Sequence, residues 1–340
     1  MLTNKKILFI SAHFFGYEKA IIDKMKTLGA EVDFYNERPS DSVLSKGIIR
    51  VNRALYQKRI NRYYRQILAQ TEGRDYDFFL LIKGESIPHF SLEALKVQHP
   101  AICTVFYSYD AVAEYPKFKQ LYPYFDKNFT FEPADAKNYQ LHFRPLFFLD
   151  EYSGIPKKKH LQYDLVFIGS AHTDRYLIGE KVRHLADNLK LNTFFYYYAP
   201  GRIAFLLKKL FDKNLQQFNL KKLSFKKLNH SEIAAIYDDS FSVLDINKPF
   251  QHGLTMRTFE ALASGKKLLT TNTDVQNYPF FCAQNIQMLY RGNITLDADF
   301  FSTPFRKLDD SVLEKMSLES WLHCLFVQHQ DDYWSGFRQQ

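Results

Sequence analysis

Apolar runs of strand length alternate along the chain with helical stripes, and they do so in two successive blocks. The first block opens with an apolar run at 6–10, a polar loop at 11–16, and a helix whose stripe is Ile21, Ile22, Met25 and Leu28, stopped at Gly29. Val32 and Phe34 then alternate in a strand. A buried-type strand at 76–83 ends at Gly84, Glu85 and Ser86, and a helix at 91–96 leads to a strand at 101–107 that ends in Ser108, Tyr109 and Asp110. Residues 129–132 and 143–149 complete the block. After the Pro- and Lys-rich segment 154–159, which reads as a linker, the second block starts with a strand at 165–168 and the polar turn 169–175. Its helix at 176–189 carries Leu177, Ile178, Val182, Leu185 and Leu189. An aromatic strand at 193–198, a helix at 231–237 and a strand at 241–246 follow, then a helix at 255–264, a strand at 268–271 and a strand-like run at 286–290. A last amphipathic helix is expected at 311–328, with Leu313, Met316, Trp321, Leu322, Leu325 and Phe326 on its stripe.

Strands alternating with helices predict an α/β protein with open parallel sheets, whose ligands gather at the carboxyl ends of the strands. His13, Glu85 and Asp110 all stand at such ends. At 340 residues the chain is longer than the roughly 250 to 300 that one core supports, so two Rossmann-like domains are expected, at 1–153 and 154–310, with 311–340 as a terminal helix. Hydrophobic content of 46% is ordinary, but 32 Phe and 22 Tyr are many; aromatic side chains suit sugars, although most of these belong to the core. No apolar run approaches the ~18 residues of a membrane span, and 7–10 is too short for a signal peptide, so a cytoplasmic protein is expected. Cys103, Cys282 and Cys324 lie far apart, which fits a reducing compartment and gives no disulfide or zinc framework.

The net charge of +8 is concentrated. Residues 46–70 hold Lys46, Arg50, Arg53, Lys58, Arg59, Arg62 and Arg65 with no acid, interleaved with apolar and Tyr positions. Residues 202–228 hold Arg202, Lys208, Lys209, Lys213, Lys221, Lys222, Lys226 and Lys227 against the single acid Asp212. Both read as basic amphipathic helices, fit for an anionic membrane surface, a phosphate-bearing acceptor or a nucleic acid, or simply as solvated helix faces.

The most informative stretch runs from Gln251 to Asn272. A loop with His252 and Gly253 leads into a helix from Thr255, stopped at Gly265 and followed by a strand. Arg257 and Glu260 are three apart, on one face near the helix start, where the first amides and the dipole favour an anion. Arg257 can grip a phosphate in two places and Glu260 can accept from a sugar diol; nucleotide diphosphate sugars carry both groups.

This stretch resembles the donor-binding motif of two-domain GT-B glycosyltransferases, in particular the bacterial group with CgeB-like spore-maturation proteins and polysaccharide-cluster enzymes. The match is Arg257-Thr258-Phe259-Glu260-Ala261-Leu262-Ala263-Ser264-Gly265. Where many retaining relatives have a second glutamate, this chain has His252, so their sugar contacts do not carry over. Phe167-Ile168-Gly169-Ser170 followed by Arg175 is similar to the start of the C-terminal domain of the same group. The resemblance implies two Rossmann-like domains facing across a cleft and a terminal helix that returns to the first. It also implies a donor site of Gly169, Ser170, Arg175, His252, Gly253, Thr255, Arg257 and Glu260.

Asp110 and His13 are the candidates for the catalytic base, with Glu85 third. The implied activity is transfer of a sugar from a nucleotide-activated co-substrate to a surface glycan or lipid-linked acceptor, at the inner membrane face. No cofactor or metal is expected. Asp75-Tyr76-Asp77 and Asp297-Ala298-Asp299 stand in the wrong places for a metal-diphosphate pair, and no Gly-x-Gly-x-x-Gly or phosphate-loop motif occurs. A nucleotide-sugar epimerase or hydrolase uses the same fold, and a non-catalytic RNA or polyanion binder is the alternative of another class. Nucleic acid is the less favoured partner.

Overall fold

The computed structural model describes residues 1–40, 53–153 and 160–335. The expected linker at 154–159, and Lys46 and Arg50 of the first basic stretch, lie outside the described residues. The chain divides into two compact units: Met1–Pro145 with Glu319–Asp331, and Leu146–Leu318 with the chain from Asp332 on.

In the first unit, β1 (Lys6–Ser11), β2 (Glu31–Asn36), β3 (Phe78–Ile82), β4 (Cys103–Ser108), β5 (Lys127–Thr130) and β6 (His142–Phe143) form one sheet, in the order β2-β1-β3-β4-β5-β6. Every neighbouring pair is parallel. A parallel sheet covered on both faces needs apolar residues at successive positions, which is why Ile7 to Ile10 and Phe79 to Ile82 are buried without a polar break. Leu8, Ile10, Phe79, Leu81 and Phe106 share one core with Tyr56, Ile60, Tyr64 and Ile67 of the helix Arg53–Thr71, whose spacings of four, four and three make one helical face. The segment Glu319–Asp331 packs in this unit through Trp321, whose ring lies 4.7 Å from that of Tyr107, and Phe326, 4.9 Å from Phe78. From β1 the chain steps one way to β2 and then the other way from β3 onward, so the sheet switches direction between β1 and β3.

The second unit repeats the design. β7 (Tyr163–Ser170), β8 (Thr193–Tyr198), β9 (Leu223–Ser224), β10 (Ser240–Asp245), β11 (Lys267–Thr270) and β12 (Ile286–Met288) lie in the order β12-β11-β10-β7-β8-β9, all parallel. Leu165, Phe167, Leu244, Ile246 and Leu269 of the sheet pack with Tyr176, Ile178, Val182 and Ala186 of the helix Arg175–Asn188. The helix Met256–Ala263 stops where Gly265 takes a φ of +66°, a left-handed conformation that costs glycine little. Here the switch lies between β7 and β10.

Two boundaries differ from the sequence reading. Residues 311–328 do not form one helix but the helices Asp310–Met316 and Leu318–His323 and a π turn Cys324–Gln328. The break comes at Ser317, because the Phe148 N–H donates to the Met316 carbonyl at 3.1 Å and the Leu318 N–H to the Phe148 carbonyl at 3.2 Å, diverting the backbone into a parallel bridge. The units part at Pro145 and Leu146 because Phe147, Leu149 and Tyr152, ahead of the proposed linker, are already buried in the second unit. Among the described residues no helix is long and apolar enough to cross a membrane.

Candidate functional site

In the second unit the polar side chains collect at the carboxyl ends of β7 and β10, the place where a sheet of this topology opens a crevice. Asp245, the last residue of β10, is fully buried and accepts three hydrogen bonds: from Arg257 Nη1 at 2.7 Å, from Thr255 Oγ1 at 2.9 Å and from Thr258 Oγ1 at 3.1 Å. Arg257 also donates through Nη2 to the Ile168 carbonyl at 2.6 Å and lies over the Phe167 ring. Burial works against its charge, but Asp245, Tyr237 and Glu260 together raise its pKa in spite of that. Arg257 therefore ties the donor-motif helix to β7 and β10, and both its terminal nitrogens are engaged inside the protein. Gly169 makes room for this. A Cβ there would stand 2.8 Å from the Phe167 ring and 3.3 Å from Arg257 Nη2.

Arg175 is differently placed. Its Nε donates to the Ile246 carbonyl at 2.9 Å and its Nη1 lies 3.0 Å from His172 Nε2. Burial, then Arg257, push its pKa down, with Arg291 adding to them and Asp245 and Asp174 opposing. His172 is held neutral, down at about 2, first by burial and then by Arg175, Lys208, Lys248 and Arg257. Three guanidinium groups, of Arg175, Arg257 and Arg291, against the carboxylates of Asp245 and Asp174 give these strand ends a positive balance. Arg291 closes one side, donating to Asp174 at 2.9 Å and to the Asn247 carbonyl at 2.6 Å. Of these groups the sequence reading named Gly169, Ser170, Arg175 and Arg257. It named Lys208 only within the basic stretch and missed Asp245, His172, Lys248 and Arg291, although an Asp ending an apolar strand and a His inside the polar turn were signals available to it.

The other expected donor residues lie on the same strand ends. Ser170 is the half-buried last residue of β7, and the hydroxyl of Thr255 bonds Asp245 and does not cap its helix. Glu260 is buried on the same helix, near enough to Tyr152 and Tyr237 to raise the pKa of each phenol, burial being the larger cause. The loop before the helix is stitched down: Gln251 Nε2 donates to the Gly253 carbonyl at 2.7 Å, and Asn272 Nδ2 donates to the His252 and Gly253 carbonyls at 3.0 and 3.1 Å. His252 itself is exposed, with Nδ1 2.7 Å from Asp274.

In the first unit five charged side chains meet at the ends of β2, β3 and β4. Lys83 Nζ lies 3.0 Å from Asp110 Oδ2 and 3.1 Å from Glu85 Oε1; Arg38 Nη2 reaches Glu85 Oε2 at 2.5 Å. Burial would lift the Glu85 carboxyl, but Lys83 and Arg38 hold it down at about 2. Likewise burial disfavours the Lys83 charge, and Asp110 and Glu85 raise its pKa in spite of that. Glu37, fully buried, accepts from the Gly84 amide at 2.9 Å, and its carboxyl is pushed up to about 7 by burial, with Arg38 opposing. Lys83 and Gly84 have φ of +77° and +79°, the turn that brings the lysine back into the cluster. Asp110 thus stands as a counter-ion. His13 is half exposed after β1, with Nδ1 3.0 Å from Glu18 Oε1, and the Phe14 amide donates to the other oxygen of Glu18 at 3.0 Å. Glu18 was another residue the sequence reading did not single out.

Both Asp-x-Asp pairs are structural where they are bonded: Asp77 accepts from Lys6 N and Lys5 Nζ, and Asp297 caps the helix Ala298–Ser302. Among the described residues no group of three His, Cys, Asp or Glu is placed to hold a metal ion.

No family model matches this chain, and no curated protein sequence matches it. Solved structures do. Over 96% of this chain and 99% of the other, at 11% identity and a TM-score of 0.53, it is similar to the catalytic domain of starch synthase IV from Arabidopsis thaliana bound to ADP and acarbose. It is similar to UDP-N-acetylglucosamine 2-epimerase from Rickettsia bellii at 12% identity over 97% and 98% of the two chains, TM-score 0.52. The N-terminal domain of Candida albicans trehalose-6-phosphate phosphatase gives 10% identity over 98% and 95%, TM-score 0.53. Two parallel six-stranded sheets with interleaved helices, matched along their whole length, give this chain the two-domain Rossmann-like fold of the GT-B type.

Proposed function

We propose that this chain is a glycosyltransferase that takes its sugar from a nucleotide-activated donor and delivers it to a cell-surface glycan or lipid-linked acceptor at the inner membrane face, in the manner of CgeB-like and polysaccharide-cluster enzymes. The observation that carries the reading is the gathering of Arg175, Arg257 and Arg291 at the strand ends of β7 and β10, with Lys208 and Lys248 near enough to His172 to disfavour its charge. A diphosphate is the ligand such a potential selects, and stabilising it as it departs is the main electrostatic task in glycosyl transfer. Arg257 serves by positioning, since Asp245 and Ile168 hold it, and Glu260, Thr255, Gly253 and His252 line the approach of the nucleoside and sugar. ADP and UDP-sugar chemistry in the two similar structures agrees with a nucleotide ligand.

In the first unit His13 is the favoured candidate for the base, because its Nδ1 is bonded to Glu18 and Nε2 is left as the acceptor. Asp110, paired with Lys83, is the second candidate. The likeness to an epimerase keeps one second reading in play, conversion of the nucleotide sugar with no acceptor.

The test is a thermal-shift panel of UDP, GDP, ADP, TDP, CMP and CDP, with and without magnesium, on wild type, Arg175→Ala and Glu260→Ala. One nucleotide is expected to stabilise the wild type by about 2.7 kcal/mol at a hundred times its Kd, and both variants to respond less. A panel without any response removes the reading. Incubating the matching nucleotide sugar without acceptor separates transferase from epimerase, the latter alone giving an altered nucleotide sugar. His13→Ala is expected to abolish transfer while keeping the nucleotide shift.

A further inference from the structure

The two basic amphipathic stretches look alike in sequence and are built in opposite ways. In the helix Arg53–Thr71 the apolar face of Tyr56, Ile60, Tyr64 and Ile67 is buried in the sheet core, and two of its arginines lie over aromatic rings, Arg59 over Tyr56 and Arg65 over Phe90. Lys58, Arg59, Arg62 and Arg65 are the outer face of an ordinary core helix. The helix Arg202–Phe211 buries only Phe205. Ile203, Leu206, Leu207 and Leu210, at the i, i+3, i+4, i+7 spacing of one stripe, are 77%, 42%, 55% and 69% exposed, and Phe211 is 86% exposed. A stripe of that kind normally faces a core; here it faces outward, beside Leu220 and Phe225, which are also exposed.

We propose that the helix Arg202–Phe211 is an interfacial helix that inserts its Ile203, Leu206, Leu207, Leu210 and Phe211 ridge into the headgroup region of an anionic lipid bilayer. Charge decides the occupant. Between 202 and 228 the chain carries eight basic residues against the single acid Asp212, and although Lys222 and Lys226 pair with Glu180 and Glu232, the helix itself holds Arg202, Lys208 and Lys209 beside its apolar stripe, a pairing that anionic lipid attracts. A second copy of the chain would bring the same positive rim against itself, a like-charge contact that opposes self-association. The helix also carries Lys208, which acts on His172 of the strand-end crevice, so docking holds that crevice near the headgroups, where a lipid-linked acceptor presents its reactive end. The inference rests on the membrane setting in the proposed function and not on its donor site.

The test uses the full chain with phosphatidylcholine vesicles and with vesicles containing about one third phosphatidylglycerol. Wild type is expected to sediment with the anionic vesicles, less at high salt and little with phosphatidylcholine alone. Leu207→Glu combined with Leu210→Glu is expected to lower vesicle binding at least about tenfold, since two apolar side chains lose their burial. The variant's melting temperature and nucleotide response should not change, which separates failure here from failure of the donor site. Phe211→Trp should show a blue-shifted emission on anionic vesicles. The inference is overturned if wild type does not sediment, if the double variant binds as wild type does, or if the double substitution turns a dimer into a monomer.

Discussion

At the ends of β2 to β4, Lys83 sits between two carboxylates and Glu85 between two cations. At the ends of β7 and β10, one buried carboxylate, Asp245, answers Arg257, while the next guanidinium, Arg175, has a carbonyl and an imidazole for partners. Both clusters occupy strand ends in sheets of the same design, yet the first is compensated from within and the second leans positive. A compensated cluster fixes loops; a positive one in a crevice draws an anion. The difference is why the proposed donor site is put at the second set and not at the first, with His13 and Glu18 standing apart from the ion network.

The sharpest way to break this comparison is to neutralise one acid in each cluster. Asp245→Asn leaves Arg257 largely buried without its counter-charge and is expected to cost about 3 to 5 kcal/mol in urea denaturation. Asp110→Asn leaves Lys83 paired with Glu85 and should cost less than about 2 kcal/mol. Equal losses would mean that the two clusters are not different in kind. Removing a cation reverses the asymmetry. Lys83→Met takes the cation from Asp110 and leaves Glu85 with Arg38 alone, and is expected to cost about 2 to 4 kcal/mol, whereas Arg175→Met, relieving repulsion from Arg257 and Arg291, should stay within about 1 kcal/mol of wild type.

A pH dependence sharpens the comparison within the first cluster. The Glu37 carboxyl, at about 7 in the fold against an ordinary 4.5, is charged more readily in the unfolded chain, so its contribution weakens as pH rises from 4.5 through 7. Glu37→Gln, which still accepts from the Gly84 amide, removes that penalty. Its stability relative to wild type should climb between pH 5 and pH 8 by about 1 to 3 kcal/mol, read from melting curves across that range.

Much of this was legible in the sequence. Uninterrupted apolar runs located nearly every long strand, because in a covered parallel sheet each residue of a strand such as Ile7 to Ile10 must be apolar. The turn Gly169 to Arg175 and the helix from Thr255 to Ser264 announced the second strand-end cluster. What the sequence could not carry was partnership across distance. Register alone sets Lys83 beside Asp110 and Arg257 beside Asp245, and nothing local to 257 says that its guanidinium is held by β10. The same limit applies to faces: the stripes at 56–67 and 203–210 have the same period, and only packing tells which has a core to meet. The break at Ser317 was hidden for a similar reason, since its cause is Phe148, far back in the chain.

The return of Glu319–Asp331 to the first unit has a consequence for how the protein is made. Synthesis delivers Met1–Pro145 early, but Trp321, fully buried and against Tyr107, arrives only after Leu146–Leu318. While the ribosome is still working through the second half, the first sheet has an open apolar seat and is exposed to chaperones and proteases. A stop codon just before Glu319 would therefore injure the part of the protein translated first, and it would also take Trp334, buried against Phe259, Tyr278 and Phe280, from the second unit.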